Sequence, residues 1–129
     1  MPELQLRIDA NSAIPPFEQL RAQISLLVAS GRLRAGDRLP TIRALADQLD
    51  LANGTVARAF RELDYTGVVV SRGRAGTFVA AEPSVAFEVV ERQQRLDSAA
   101  RQFALDAAQL DVDAADALAA VTAAIQELR

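Results

Sequence analysis

A chain of 129 residues has room for one compact domain, or for a small domain with an appendage that takes its core from a partner. It contains no cysteine and no histidine, which removes disulfides, thiolate nucleophiles, soft metal sites and the side chain best suited to proton transfer at neutral pH. The net charge of -3 hides an asymmetry: residues 1–81 carry ten arginines against eight acids and residues 82–129 four against nine, so only the first segment suits a polyanion.

Leu4 to Ile8 alternates apolar and polar residues, which predicts a short half-exposed strand before a loop over 9–16. Phe17, Leu20, Ile24, Leu27 and Val28 then follow the spacing of one helix face, stopped by Gly31. The stretch from Gly31 to Pro40 breaks the periodicity. Thr41 offers an N-cap to a short second helix whose inner face is Ile42, Leu45, Ala46 and Leu49. A tight turn leads to a third helix with Val56, Ala59, Phe60 and Leu63 on one side and Ala57, Arg58 and Arg61 on the other. It ends at Gly67. The β-branched run Val68 to Val70, the turn Arg72 to Gly76 and the run Thr77 to Ala80 predict a hairpin.

Pro83 and Ser84 mark a change of composition, beyond which the chain is rich in alanine. Val89, Leu96, Phe103 and Leu110 recur every seven residues, with Ala100 and Ala107 beside them, as in a coiled-coil seam. Asp113 and Asp116 form a variant capping box for a last helix, expected to bury Leu118, Val121, Ile125 and Leu128. The seam either folds back on its own chain or meets a second one, and a tail this short has too little core to stand unpaired. The acids Asp106, Asp111, Asp113 and Asp116 suit capping and a solvated face better than a metal loop, because no glycine turn gathers them.

Two short helices joined by a tight turn, a glycine stop and a hairpin with a basic tip follow the order of a winged helix-turn-helix. In that arrangement the second helix of the pair points its N-terminal residues at base edges in the major groove, and its other face is clamped by the remaining helices. Asn53, Gly54 and Thr55 stand at that leading end. Asn53 has the amide to read an adenine edge, Thr55 suits a phosphate or a thymine methyl, and unpaired backbone N–H groups attract phosphate. Arg72 and Arg74 are placed to reach the DNA backbone or the minor groove. Capping alone is open to Asn53 and Thr55, and ion pairing with Glu62 or Asp64 is open to Arg58 and Arg61.

The segments RIDANSAIPPFEQLRAQI, SGRLRAGDRLPTIRALADQL, TVARAFREL and GTFVA, with Leu39, Pro40, Leu45, Ala46 and Gly67 at matching spacing, carry a resemblance. The sequence resembles the GntR family of bacterial regulators and, within it, the short-tailed YtrA-like subfamily. The resemblance implies that Arg43, Thr55 and the start of the third helix contact DNA, that the wing enters the minor groove and that the tail pairs two subunits. Five positions depart from the family pattern: Asp50 for a turn glycine, Ala52 for a capping residue, Ala57 for an arginine, and Arg74 with Ala75 for Gly-Arg.

The expected fold is mainly α with a small β-hairpin, a winged helix-turn-helix over 1–81 followed by a two-helix dimerisation tail over 82–129. The expected DNA-binding residues are Thr41, Arg43, Asn53, Gly54, Thr55, Arg58, Arg72, Arg74 and Gly76. The expected dimerisation residues are Val89, Leu96, Ala100, Phe103, Leu110, Leu118, Val121 and Ile125. A sequence-specific regulator follows, a homodimeric repressor on a two-fold symmetric double-stranded operator. No nucleophile with its base, phosphate-binding glycine loop or metal cluster is apparent, so neither enzymatic activity nor a cofactor or metal is expected. No leader or membrane span is apparent, which predicts a cytoplasmic protein, and a small-molecule effector is not expected within a single tail.

Overall fold

A computed structural model describes residues 4–128. Five helices are present, α1 (Pro16–Ala29), α2 (Ile42–Leu49), α3 (Asn53–Tyr65), α4 (Ala86–Gln109) and α5 (Ala114–Glu127), with strands β1 (Val69–Ser71) and β2 (Thr77–Val79) between α3 and α4. The chain divides into two compact units, Met1–Val90 and Glu91–Arg129. The mainly helical composition with one antiparallel hairpin is the expected fold class.

In the first unit, α3 packs against α1, α2 and β1. Its inner residues Val56, Ala59, Phe60 and Leu63 are buried with Leu20, Ile24 and Val28 of α1 and Leu45 and Ala46 of α2. Each fully buried side chain of this size stabilises the fold by about 1.5–3 kcal/mol, which makes α3 the core of the unit. Local chemistry sets where the helices start and stop. Pro16 opens α1. Thr41 caps α2 by accepting a hydrogen bond from the Ala44 amide at 3.1 Å, and Asp50 ends it in the left-handed region at φ 56° and ψ 48°. Aspartate therefore takes the conformation usually left to glycine. Gly67, at φ 86°, turns the chain out of α3, and Val68 donates to the Leu63 carbonyl at 2.9 Å on the way into β1.

The hairpin pairs Val69 with Val79, Val70 with Phe78 and Ser71 with Thr77, and a 3-10 turn over Gly73–Ala75 forms its tip. The outer side of β2 is not free. Leu39 donates to the Thr77 carbonyl and Val79 to the Asp37 carbonyl, both at 2.8 Å, and Arg38 lies opposite Phe78 as an antiparallel bridge. The segment between the first two helices thus braces the wing, a pairing that periodicity does not disclose.

Leu4 to Ile8 is not the strand that its alternation predicts. Leu4 and Leu6 enter the core and Gln5 and Arg7 stay outside, yet no strand lies beside them. Glutamine side chains supply the missing partners. Gln23 accepts from the Arg7 amide at 2.9 Å and donates to its carbonyl, Gln19 does the same for Asp9, and Gln48 donates to the Leu4 carbonyl at 2.8 Å. A carboxamide offers the same donor and acceptor as a peptide group, so helices satisfy a backbone that alternation alone would assign to a sheet.

Val85 is buried in the core of the first unit, just before α4. Neither α4 nor α5 holds a buried residue among those described. The expectation that α5 buries Leu118, Val121, Ile125 and Leu128 is therefore corrected: Val121 is half-buried, and Leu118 and Leu128 are 66% and 87% exposed. An amphipathic stripe hides its apolar side only where a second surface meets it. The capping prediction does hold, with the Asp113 carboxylate accepting from the Asp116 amide at 2.8 Å.

Candidate nucleic-acid interface

The leading end of α3 is open. Ala52 occupies the N-cap position with extended backbone and no side-chain cap, and Asn53 is the first helical residue, exposed. The capping alternative for Asn53 is thus not realised. Thr55, half-buried, closes the first turn by donating its amide to the Ala52 carbonyl at 3.0 Å. The amides of Asn53 and Gly54 have no hydrogen-bond partner among the described residues. A Cβ at Gly54 would meet no heavy atom within 4 Å, so packing does not demand a glycine there. Its effect is to bare the backbone at the point where two N–H groups face outward.

Arg43 lies one residue inside α2, exposed, and Thr41 sits beside it with its hydroxyl oxygen committed to the helix cap. Arg58, exposed on α3, does not pair with Glu62 or Asp64. Its guanidinium instead stacks 3.7 Å from the centre of the Phe17 ring. Phe17, expected inside the core, is only half-buried and serves as a platform from α1. Stacking leaves the guanidinium its full charge and its N–H edge, which a carboxylate would occupy.

Electrostatics single out one pair. Among the described residues the ion pair is Arg21–Glu18, with Arg21 Nε donating to Glu18 Oε2 at 2.9 Å and Nη2 to Oε1. These hydrogen bonds hold the Glu18 carboxyl below its ordinary value and the Arg21 guanidinium above its own. Arg43, Arg58, Arg61, Arg72 and Arg74 have no carboxylate within salt-bridge distance among the described residues.

On the wing, Arg72 lies 5.0 Å from the centre of the Phe78 ring and Arg74 is exposed at the tip. Gly76 closes the turn at φ 112° and ψ −166°, a conformation open only to glycine, and its carbonyl accepts from the Arg72 amide at 2.8 Å. Every residue expected to bind DNA is thus exposed or half-buried in the first unit. Sequence reasoning missed Arg38 and the two aromatic platforms, since no local pattern pairs Arg38 with Phe78 or Arg58 with Phe17.

Of the residues expected to dimerise, Val89 belongs to the first unit and is exposed. Leu96, Ala100, Phe103, Leu110, Leu118 and Ile125 are exposed in the second unit, and Val121 is half-buried. No described helix is long and apolar enough to cross a membrane.

Residues 16–79 match the family of bacterial regulatory proteins called the gntR family. The chain is 51% identical over 75 residues to the HTH-type transcriptional regulator Rv1152 of Mycobacterium tuberculosis, covering 58% of this chain and 62% of that protein. It is 32% identical over 75 residues to the HTH-type transcriptional repressor YtrA of Bacillus subtilis, covering 58% of each. The chain thus spans less than two thirds of either relative. Among solved structures it is similar to YtrA from Sulfolobus acidocaldarius, a GntR-family transcription factor, with a TM-score of 0.57 and 33% identity over 71% of this chain and 97% of that one. With its winged helix, its open α3 and these relatives, the chain belongs to the GntR family of bacterial regulators, which are transcriptional regulators and not enzymes, and is akin to its YtrA members.

Proposed function

We propose that this chain is a sequence-specific DNA-binding regulator of the cytoplasm that acts as a homodimer on a two-fold symmetric operator and represses by occupying a promoter. The observation that carries the reading is the exposed start of α3, where Asn53 and two amides without a partner among the described residues stand in the same unit as arginines that have no carboxylate within salt-bridge distance among those residues. Residues 1–81 supply the DNA contacts through Thr41, Arg43, Asn53, Gly54, Thr55, Arg58, Arg72, Arg74 and Gly76. Residues 82–129 pair the subunits through the stripe from Val89 to Leu110 and through Leu118, Val121 and Ile125. Support for pairing comes from apolar side chains left outside, with Leu96 57% and Ile125 49% exposed, a cost in water that a second copy removes. The relative YtrA, named as a repressor, supports the sign of the effect.

Footprinting on the DNA upstream of the chain's own gene tests the proposal. The expected result is a protected dyad whose half-sites lie about one helical turn, ~34 Å, apart. The selected site outcompetes random DNA by ~1000-fold or more, and transcription from the bound promoter falls. Equal competition by random DNA, or no protected dyad, overturns the reading. Within the site, Arg43→Ala weakens specific binding by roughly 1–3 kcal/mol.

A further inference from the structure

Side chains alternate between the faces of a strand, so directly opposed residues share a face and so do residues two apart. Phe78 is opposed by Val70 in β1 and by Arg38 on its other side. Two residues along, Arg72 and Gly76 close the hairpin, which puts Arg38, Arg72, Phe78 and Gly76 on one face of the wing. There the Arg38 guanidinium crosses directly over Gly76: a Cβ on Gly76 would stand 2.8 Å from Arg38 Nε and 3.2 Å from Nη2. Arg72 lies against the Phe78 ring on the same face. Neither guanidinium has a carboxylate within salt-bridge distance among the described residues.

Two cations gathered on a small surface repel each other, and no carboxylate among the described residues lies close enough to pair with either. A dianionic or monoanionic oxyacid with several acceptor oxygens would offset that repulsion, because each guanidinium presents a planar fork of donors to it. We propose that Arg38 and Arg72 form a phosphate clasp on this face of the wing, that its ligand is a backbone phosphate of DNA, and that Gly76 lacks a side chain so that Arg38 can be seated. The inference rests on the DNA-binding reading above and adds to it a contact residue from the segment before α2. The clasp carries affinity without sequence information, because every duplex presents the same phosphates.

The test titrates the full chain and its variants, across a series of salt concentrations, against two labelled duplexes, one enriched from random sequence by the wild-type protein and one of random sequence. Arg38→Ala is expected to weaken both by roughly tenfold and to lower the slope of log affinity against log salt by about one. Adding Arg72→Ala lowers the slope by about two. Arg38→Lys keeps the charge but loses the fork, so it retains the slope and loses part of the affinity. Arg32→Ala, which removes a cation outside the wing, leaves both quantities unchanged. Should Arg38→Ala fail to fold by its melting curve, Arg38→Gln carries the same comparison. A slope that stays at the wild-type value, with or without a loss of affinity, overturns the clasp and leaves DNA binding standing. Wild-type protein that binds neither duplex overturns both.

Discussion

The two units handle apolar residues in opposite ways. In the first, Leu20, Leu45, Val56 and Leu63 are completely buried, and each is covered by side chains from another element of the same unit. In the second, leucines, alanines and Phe103 repeat with equal regularity along α4 and α5, yet no residue of either helix is buried. Periodicity therefore states which side of a helix avoids water and says nothing of what covers it. The first unit carries its own core, and the second leaves its apolar stripe in water.

Substitutions in the two units should separate a closed core from an open stripe. The largest effect is expected in the closed core, where Leu63→Ala removes a side chain with no solvent exposure and lowers unfolding stability by about 3 kcal/mol. Urea titration should show this loss at every protein concentration. Phe103→Ala acts on the open stripe and should weaken self-association by about 2 kcal/mol, measured by sedimentation equilibrium. Its effect on melting should fade as protein concentration rises, and an unchanged association constant would remove α4 from the pairing surface.

Smaller effects test local devices within the first unit. Thr41→Ala deprives the Ala44 amide of its cap and should cost about 1 kcal/mol, with Thr41→Ser restoring most of it. Failure of serine to rescue would mean that the methyl, not the hydroxyl, does the work. Glu18→Gln should cost least, about 0.3 kcal/mol, because the pair with Arg21 is partly screened by solvent. The sign with pH is definite. Hydrogen bonds from Arg21 lower the Glu18 carboxyl in the folded chain, so its contribution is present above the ordinary carboxylate value and is lost as pH falls through the lowered one. Melting curves of the two proteins should differ at neutral pH and converge in acid; a gap that widened in acid would contradict the pairing.

Much of the fold was legible because its cues are local. Thr41 as a cap, Gly67 as a stop, and Asp113 with Asp116 as a helix start all act within a turn of themselves, and each appears as read. The winged order was legible for the same reason. What failed involved groups far apart in the chain. Alternation in Leu4–Ile8 marked its inner face correctly but suggested a sheet, because nothing local indicates that Gln19, Gln23 and Gln48 would furnish the hydrogen bonds. Phe17 fitted a core position by spacing, yet it is only half-buried, and Arg58, some forty residues later, stacks on its ring.

From the sequence alone came the helix faces, their ends, the hairpin and the arginines of the first segment, since these depend on residue type and on spacings of a few positions. Only the tertiary structure decided that Arg38 lies across Gly76, that aromatic rings rather than acids hold Arg58 and Arg72, and that the stripe of α4 and α5 is left uncovered. The reason is physical. Capping and periodicity are settled within one turn of chain, whereas the seating of a long, mobile cation depends on which distant surface folding brings within about 4 Å of it.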